Sequence, residues 1–366
     1  MALDHTRDFW GLTAFEPEDP ARTTLGWFFT RWITHFCAPV FVFLTGVSAY
    51  LYGVKGRSRF ELSSYLVTRG LWLIILEVTI VNFSWRFELG GFVFLAVIWA
   101  IGVSMVLLGA FVWMPRSAIL GFALVLITGH NALDAVMPEQ LGSFAWLWNL
   151  LHVPGFIPLA DNFGIMFAYP IIPWCGVMAL GYVVGPWFLE ERALRQRALL
   201  ISGTTLILLF VGLRLLNLYG DPNPWTTQSR GSLYTFLSFF NTAKYPPSFL
   251  FLLMTLGPSL LLLVGMERWD RRFNTILCVF GRVPLFFYIL HLPVVRLTDT
   301  VKNQLLYRQN IDLFSRRQPW PETYTPKLWV VYLAWAVMVA VCFYPACRWF
   351  GRFKRDHPNS WWARYL

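Results

Sequence analysis

Long apolar runs separated by short polar segments dominate the chain between residues 32 and 348. A helix that crosses the hydrocarbon core of a bilayer needs about 20 mostly apolar residues. The pattern predicts nine such helices, at residues 32–52, 64–84, 92–113, 117–136, 164–186, 198–218, 247–266, 273–294 and 328–348. The predicted fold class is therefore all-α, a polytopic integral membrane helix bundle.

Composition agrees with this pattern. Of the 366 residues, 57% are hydrophobic and only 14% are charged, whereas a soluble domain has about 25% charged residues. A soluble enzyme or binding domain is thereby excluded. The net charge of +10 is typical of some nucleic-acid-binding proteins, but here the basic residues form short clusters between apolar runs, as the positive-inside rule describes. The expected partner is the lipid bilayer, and no nucleic acid is expected.

The basic clusters follow every second predicted span and so lie on one side of the membrane. They are Lys55, Arg57, Arg59, Arg116, Arg192, Arg195, Arg197, Arg268, Arg271, Arg272, Arg348, Arg352, Lys354 and Arg355. The positive-inside rule makes that side the cytoplasm, which places the C-terminus inside and residue 1 outside. Residues 1–350 are predicted to form the transmembrane domain, and residues 351–366 a basic cytoplasmic tail. Longer loops, at 1–31, 137–163, 219–246 and 295–327, lie on the outer side.

Histidines are the most informative polar residues. Five of the six, namely His5, His35, His130, His152 and His291, fall in the outer half of this topology, and His357 lies in the inner tail. Ionisable groups within a membrane are costly and usually face the bundle interior or a water-filled cavity. The outer histidines therefore predict a polar site, although a lone histidine on an apolar face, such as His291, is as readily explained by packing.

The segment Asp4-His5-Thr6-Arg7-Asp8 is densely charged. In a helix, Asp4 would pair with Arg7, and Asp8 would approach His5, because each pair is three residues apart. A carboxylate beside a histidine fixes its tautomer and suits it to act as a general base. The alternative is a solvated cluster of charges at the membrane interface.

Four further residues are candidates for substrate or donor contacts. Arg31 and His35 are four residues apart and would share a helix face, either as a site or as a mutually satisfied interfacial pair. Arg282 lies nine residues before His291, about 13 Å along a helix, and could snorkel to the cytoplasm or bind an anionic donor. Glu77 lies within a span, where it is either a functional carboxylate or locked to Arg69 or another helix.

Other chemistries have little support. His130 and Asp134 share a face and are interpreted as polar residues of the outer rim. The sequence has no Walker loop, GxGxxG turn, HExxH or GxSxG motif. Its five cysteines form no CxxC pair, and neither a disulfide framework nor a metal is expected. Gly46 and Gly102, by contrast, sit among small residues that indicate close helix packing.

Several stretches resemble a known family. ALDHTRDFWG, FFTRWITHFCAPVFVFLTGVSAYL, TRGLWLIILE, VIWAIGVSMVLLG and LFFYILHLPVV are similar to bacterial members of the heparan-α-glucosaminide N-acetyltransferase catalytic-domain family. The resemblance spans most of the chain and is strongest over residues 1–110 and 275–296. It implies about ten or eleven helices, and an acetyl group taken from cytoplasmic acetyl-CoA and moved to a sugar amine or hydroxyl on the outer side.

The resemblance also shows departures. Family members usually begin with a basic segment and an Asp-x-x-Arg-Gly stretch running into a first membrane helix, so an upstream helix is expected before Met1. Animal enzymes differ at the stretches that hold Asp4, His5 and His35. Heparan itself is not the expected substrate of a bacterial-looking sequence, and a homo-oligomer is an open alternative.

The sequence thus predicts an integral membrane acyltransferase in the bacterial inner membrane. Asp4, His5 and His35 are the predicted catalytic residues; Arg7, Asp8, Arg31, Arg282, His291 and Glu77 are the predicted substrate- or donor-binding residues. Transfer could be direct or pass through an acyl-histidine. The alternatives are a multi-pass transporter or proton-coupled permease, because intramembrane His and Glu also serve proton relays, and a scaffold without chemistry.

Overall fold

The structure, a computed structural model, describes residues 1–88, 90–269, 271–309, 321 and 323–366. The chain divides into two compact units. Unit 1 comprises Met1–Thr34, Phe83–Glu88 and Arg268–Leu366, and unit 2 comprises His35–Asn82 and Leu89–Glu267.

Unit 1 is helical in its described residues. Its helices are α1 (Ala2–Trp10), α2 (Leu25–Thr34), most of α5 (Asn82–Arg86), α13 (Arg271–Gly281), α14 (Pro284–Tyr307), α15 (Leu328–Met338), α16 (Tyr344–Asp356) and α17 (Trp361–Tyr365). A π-helical turn, Val339–Phe343, joins α15 to α16. The short helix α1 packs against α2, α14 and α15, and these contacts position the site described below.

Unit 2 contains the other long helices and a small sheet. Its helices are α3 (Cys37–Gly53), α4 (Arg59–Leu76), α6 (Val97–Phe111), α7 (Arg116–Gly129), α8 (Ala145–Leu151), α9 (Ile171–Val184), α10 (Arg192–Leu216), α11 (Ser232–Phe240) and α12 (Phe249–Met266). Its strands are β1 (Gly91–Leu95), β2 (Gly155–Ala160) and β3 (Phe163–Phe167). A π-helical turn, Glu77–Val81, follows α4.

Within the described residues, seven helices are long and apolar enough to cross a membrane, and a bent pair would raise the number to eight. They are Leu25–Gly53, Arg59–Arg86, Arg116–Leu133, Ile171–Leu189, Arg192–Leu216, Phe249–Met266 and Leu328–Asp356, and the bent pair is Asn274–Gly281 with Pro284–Tyr307. A helical membrane bundle is thus confirmed, but the number nine is not. The predicted span 92–113 contains only the 15-residue helix α6, about 22 Å long, because β1 takes up its first residues.

The sheet was not predicted, because β1 and β3 lie largely inside apolar runs that were assigned to spans. β1 pairs with β3 in parallel, and β2 with β3 in antiparallel orientation, in the order β1-β3-β2. Short apolar runs cannot be assigned to helix or strand by periodicity alone. The aromatic and β-branched residues of Gly91–Leu95 and Phe163–Phe167 favour strands.

Contacts in unit 2 join loops that the charge pattern predicts to be on the same side. Arg195 Nε donates to Glu267 Oε1 at 2.8 Å, and Arg192 Nη2 donates to the Glu267 carbonyl at 2.7 Å. These residues follow the fifth and seventh predicted spans. The contacts agree with alternating spans in this unit.

Glycines allow close helix packing in unit 2, as the small-residue motifs predict. A Cβ added at Gly46 of α3 would lie 2.0 Å from the Met178 carbonyl oxygen of α9, and one added at Gly181 would lie 2.0 Å from the Phe43 carbonyl oxygen. Gly102 of α6 meets the Gly70 carbonyl of α4 in the same way, at 2.7 Å. Helices α3 and α9 therefore touch backbone to backbone.

A sharp bend of 84° separates the α13 segment from α14. It falls at Arg282 and Val283, directly before Pro284, which is the first residue of α14. Proline disfavours the helical conformation of the preceding residue, which explains the break. Arg282 and His291 therefore do not share one helix, and the distance of about 13 Å inferred from the sequence does not apply.

The chain continues in helix through residue 350. Helix α16 runs to Asp356, and the Phe350 ring stacks on Phe286 with ring centroids 4.2 Å apart. Phe350 also contacts Phe353 and Trp362. The C-terminal segment thus packs against α14 through its aromatic side chains.

Candidate active site

The densest polar cluster of unit 1 is built on α1. Asp4 and Arg7 are both buried although charged, and Arg7 Nη2 donates to Asp4 Oδ1 at 2.8 Å and to Asp8 Oδ1 at 2.7 Å. His5 Nδ1 lies 3.5 Å from Asp8 Oδ2. Both three-residue spacings therefore produce the pairs that a helix predicts.

Helix α2 continues this row of charges. Arg31 Nη1 donates to both oxygens of Asp4, at 2.9 and 3.0 Å, and Arg31 Nε donates to Glu18 Oε1 at 2.6 Å. Thr34 Oγ1 also donates to Asp4 Oδ1 at 2.8 Å. We refer to Glu18, Arg31, Asp4, Arg7 and Asp8, which carry alternating charges, together with the neighbouring His5 as the charge row.

The hydrogen bonds that Asp4 accepts limit its possible role in the site. Two guanidinium groups and a hydroxyl already donate to it, so its lone pairs are committed to Arg7, Arg31 and Thr34. This arrangement favours positioning of α1 on α2 over direct proton transfer. Arg31 likewise contacts carboxylates, which favours a positioning role over contact with an anionic donor.

Asp8 is the carboxylate that faces the imidazole of His5. Burial alone would raise the pKa of Asp8, but the Arg7 guanidinium and the nearby His5 imidazole lower that pKa below its ordinary value. Burial also acts to lower the pKa of Arg7, yet the Asp8 and Asp4 carboxylates raise it overall. Both groups are therefore charged at neutral pH, and a carboxylate facing Nδ1 favours the tautomer that leaves the His5 Nε2 lone pair free.

His291 of α14 lies beside His5. The two rings are 5.2 Å apart between centroids and tilted by 33°, and Trp85 meets the His5 ring edge-on at 4.9 Å. His291 Nδ1 is 3.2 Å from the Phe287 carbonyl oxygen, which can only accept, so Nδ1 carries the hydrogen. Its Nε2 is buried and has no hydrogen-bond partner among the described residues.

The two histidines differ in access. His291 is fully buried, whereas 17% of the His5 side chain is exposed. The structure thus brings together a reachable imidazole oriented by Asp8 and a buried imidazole with a free acceptor nitrogen. The free His291 nitrogen can accept a hydrogen bond from an amine or hydroxyl.

The other predicted site residues are His35, Arg282 and Glu77. His35 belongs to unit 2, where it is buried with its ring 5.4 Å from Phe251. It occupies a turn after Thr34, so α2 does not continue through it. Arg282 is exposed at the bend before α14 and has no ion pair with a described residue.

Glu77 of unit 2 accepts a hydrogen bond from the first turn of α6. It is fully buried in the π-helical turn, and its Oε2 accepts from the Trp99 backbone N–H at 3.0 Å. Trp99 is in the first turn of α6, where backbone N–H groups lack intrahelical partners. The structure therefore supports the interpretation in which Glu77 locks to another helix.

Sequence reasoning missed three contributors to the cluster. Trp85 lies in an apolar run with no signal that separates it from other membrane tryptophans. Glu18 and Thr34 are far from α1 in the sequence, and only the fold of residues 10–34 brings them close to it. The acidic character of Glu18 within a loop was the only available hint.

These features define the class: an integral membrane protein with an imidazole–carboxylate site in unit 1. Residues 1–220 match the family described as "Heparan-alpha-glucosaminide N-acetyltransferase, catalytic". Because the match covers more than half of the chain, the chain belongs to this family. Membership implies a membrane acetyltransferase and confirms the resemblance drawn from the sequence. His291 and Arg282 lie beyond the matched residues. No curated protein and no solved structure matches the chain.

Proposed function

We propose that this protein moves an acetyl group from acetyl-CoA to an amine or hydroxyl of a sugar, with His5 as the general base. The observation that carries the proposal is the geometry of His5, whose Nδ1 is 3.5 Å from Asp8 and whose ring is 5.2 Å from His291. An imidazole oriented by a carboxylate is a recurring arrangement for activating a nucleophile.

In the proposed reaction, the acceptor N–H or O–H gives its proton to His5 Nε2 as its nitrogen or oxygen attacks the thioester carbonyl carbon. The new C–N or C–O bond forms, the C–S bond breaks, and the CoA thiolate takes up the proton as it leaves. His291 Nε2 offers a second buried acceptor that can orient the incoming group. The Asp8 carboxylate stabilises the imidazolium that forms on His5.

The sidedness of the reaction belongs to the same proposal. We infer that the donor enters from the side bearing the arginine clusters, because CoA is polyanionic and cannot cross lipid, and that this side is the cytoplasm of a bacterial inner membrane. The acceptor then binds on the opposite side, which makes the product a modified glycan. Exposed Arg282 is a proposed contact for the CoA phosphates, and His35 a further proposed catalytic residue.

The test is turnover by the purified full chain in proteoliposomes. Acetyl-CoA and glucosamine are supplied, free CoA is followed with a thiol reagent, and the acetylated sugar is identified by mass spectrometry. We expect CoA release that depends on the sugar. His5→Gln should lower kcat by about 10²–10⁴-fold, whereas His357→Gln, a histidine of the exposed tail, should retain wild-type turnover. His35→Gln, tested in parallel, decides its proposed role.

Two outcomes would contradict the proposal. Wild-type kcat in folded His5→Gln would remove His5 as the base. Movement of intact glucosamine across the vesicle membrane without acetylation would indicate a transporter. A third outcome, CoA release in a single burst of one equivalent without sugar, would show an acyl-enzyme intermediate and would replace direct transfer.

A further inference from the structure

A second cluster of histidines lies in unit 2, separate in the chain from the charge row. His130 begins the turn after α7, Asp134 follows it, and His152 comes directly after α8. Their ligand-type atoms, one from each residue, all lie within 4.8 Å of one another. His130 is 2% exposed and His152 is fully buried.

The partners within this cluster are incomplete. His152 Nε2 is 3.0 Å from Asp134 Oδ1, and Asn131 Nδ2 donates to Asp134 Oδ2 at 2.8 Å. Both ring nitrogens of His130 and the Nδ1 of His152 are buried, and none has a hydrogen-bond partner among the described residues. Buried polar atoms in folded proteins nearly always have a hydrogen-bond partner, so three unpartnered atoms in one place require an explanation.

We propose that His130, Asp134 and His152 bind a Zn²⁺ ion. Two imidazoles and one carboxylate are a ligand set that zinc favours, with a fourth position left for water. Zinc–ligand bonds of about 2.0–2.1 Å place tetrahedral ligand atoms about 3.3 Å apart. No separation in the cluster exceeds 4.8 Å, so small side-chain rotations would bring the ligand atoms together around an ion.

The surroundings connect the proposed site to neighbouring segments of unit 2. Asn131 Oδ1 accepts from the Phe249 N–H at the start of α12, at 2.8 Å, and Trp148 Nε1 donates to the Val136 carbonyl at 2.8 Å. The Trp148 ring lies 5.0 Å from the His152 ring. A bound ion would fasten the segment between Asp134 and His152 to the end of α7 and, through Asn131, to α12.

Asn131 also supplies support outside the ligand set. Ligating carboxylates are usually held by a second hydrogen bond that fixes their orientation. The Asn131 amide gives this bond to the Asp134 oxygen that does not face His152. The cluster therefore has both a ligand set and a group that orients it.

The experiment measures metal in the full chain purified with an affinity tag that contains no histidine. Elemental analysis should find one zinc per chain after dialysis against zinc. Removal with a chelator should lower the thermal midpoint, and Zn²⁺ alone should restore it, because a ligand that binds only the folded state stabilises it. His130→Gln and His152→Gln should each lose the bound zinc, and His357→Gln should retain it.

The wild-type measurements stand even if a variant fails to fold. X-ray absorption at the zinc edge should show two imidazole nitrogens with oxygen ligands and no sulfur. Failure of the wild type to bind zinc, a sulfur ligand, or full zinc content in folded His130→Gln and His152→Gln would each overturn the assignment.

Discussion

Replacing Asp8 by Asn is the sharpest single test of the His5 site. Asp8 Oδ1 accepts from Arg7 at 2.7 Å, and Asp8 Oδ2 faces His5 Nδ1 at 3.5 Å. An asparagine keeps the shape but converts one oxygen into a donor. The Arg7 guanidinium has only donors, so the remaining oxygen turns to Arg7 and the NH₂ turns to His5.

That exchange reverses the tautomer of His5. A donor facing Nδ1 favours the imidazole in which Nδ1 accepts and Nε2 carries the hydrogen, and such an Nε2 cannot take a proton from the acceptor sugar. A general base contributes about 10²–10⁴-fold to the rate, equal to about 2.7–5.5 kcal/mol at 1.36 kcal/mol per tenfold. We expect kcat to fall by that factor, with the KM for acetyl-CoA unchanged.

The assay is CoA release at saturating acetyl-CoA and glucosamine, with the thermal midpoint recorded for each variant. Asp356→Asn is the matched control, because Asp356 is 62% exposed in the tail and should keep wild-type kcat. The reasoning is refuted if folded Asp8→Asn retains kcat within about threefold of the wild type. An increase in KM without a change in kcat would refute it equally.

Three further predictions concern stability. Asp8 has a folded-state pKa below its unfolded value. The stability that its carboxylate contributes is therefore complete above pH about 3.9 and is lost as the pH falls through the folded pKa. The thermal midpoint of the wild type should accordingly drop more steeply below pH 4 than that of Asp8→Asn. Gly46→Ala should lower the midpoint, because its Cβ would lie 2.0 Å from the Met178 carbonyl, whereas Gly121→Ala, with open space around it, should not; equal midpoints would contradict the close packing. Glu77→Ala should cost about 1–3 kcal/mol of unfolding free energy by removing the acceptor at α6, and Glu77→Gln should cost less; chemical unfolding in mixed micelles measures both.

Local features of the site could be predicted from the sequence because they depend on spacing within one helix. The pairs Asp4–Arg7 and His5–Asp8 follow from a three-residue separation, and the structure contains both. The close helix packing at Gly46 and Gly102 followed equally from small residues in apolar runs.

Contacts between residues that are far apart in the sequence could not be predicted. Glu77 binds a backbone group 22 residues away, and nothing in its apolar surroundings identifies that partner. His152 meets Asp134 only because the segment between them folds back, so the sequence indicated two rim residues and no metal. The strands β1 and β3 were hidden because a buried strand and a buried helix have the same apolar composition.

The glycine contacts between α3 and α9 limit where a molecule could pass between the helices of unit 2. With the Gly46 and Gly181 positions pressed against opposing carbonyl groups, no side chain separates the two backbones there, and neither a lipid tail nor a pantetheine arm fits through that seam. We expect the two helices to move together, so labels placed across the seam should report a constant separation. If the proposed donor passes through this unit, its path has to run along other helix boundaries.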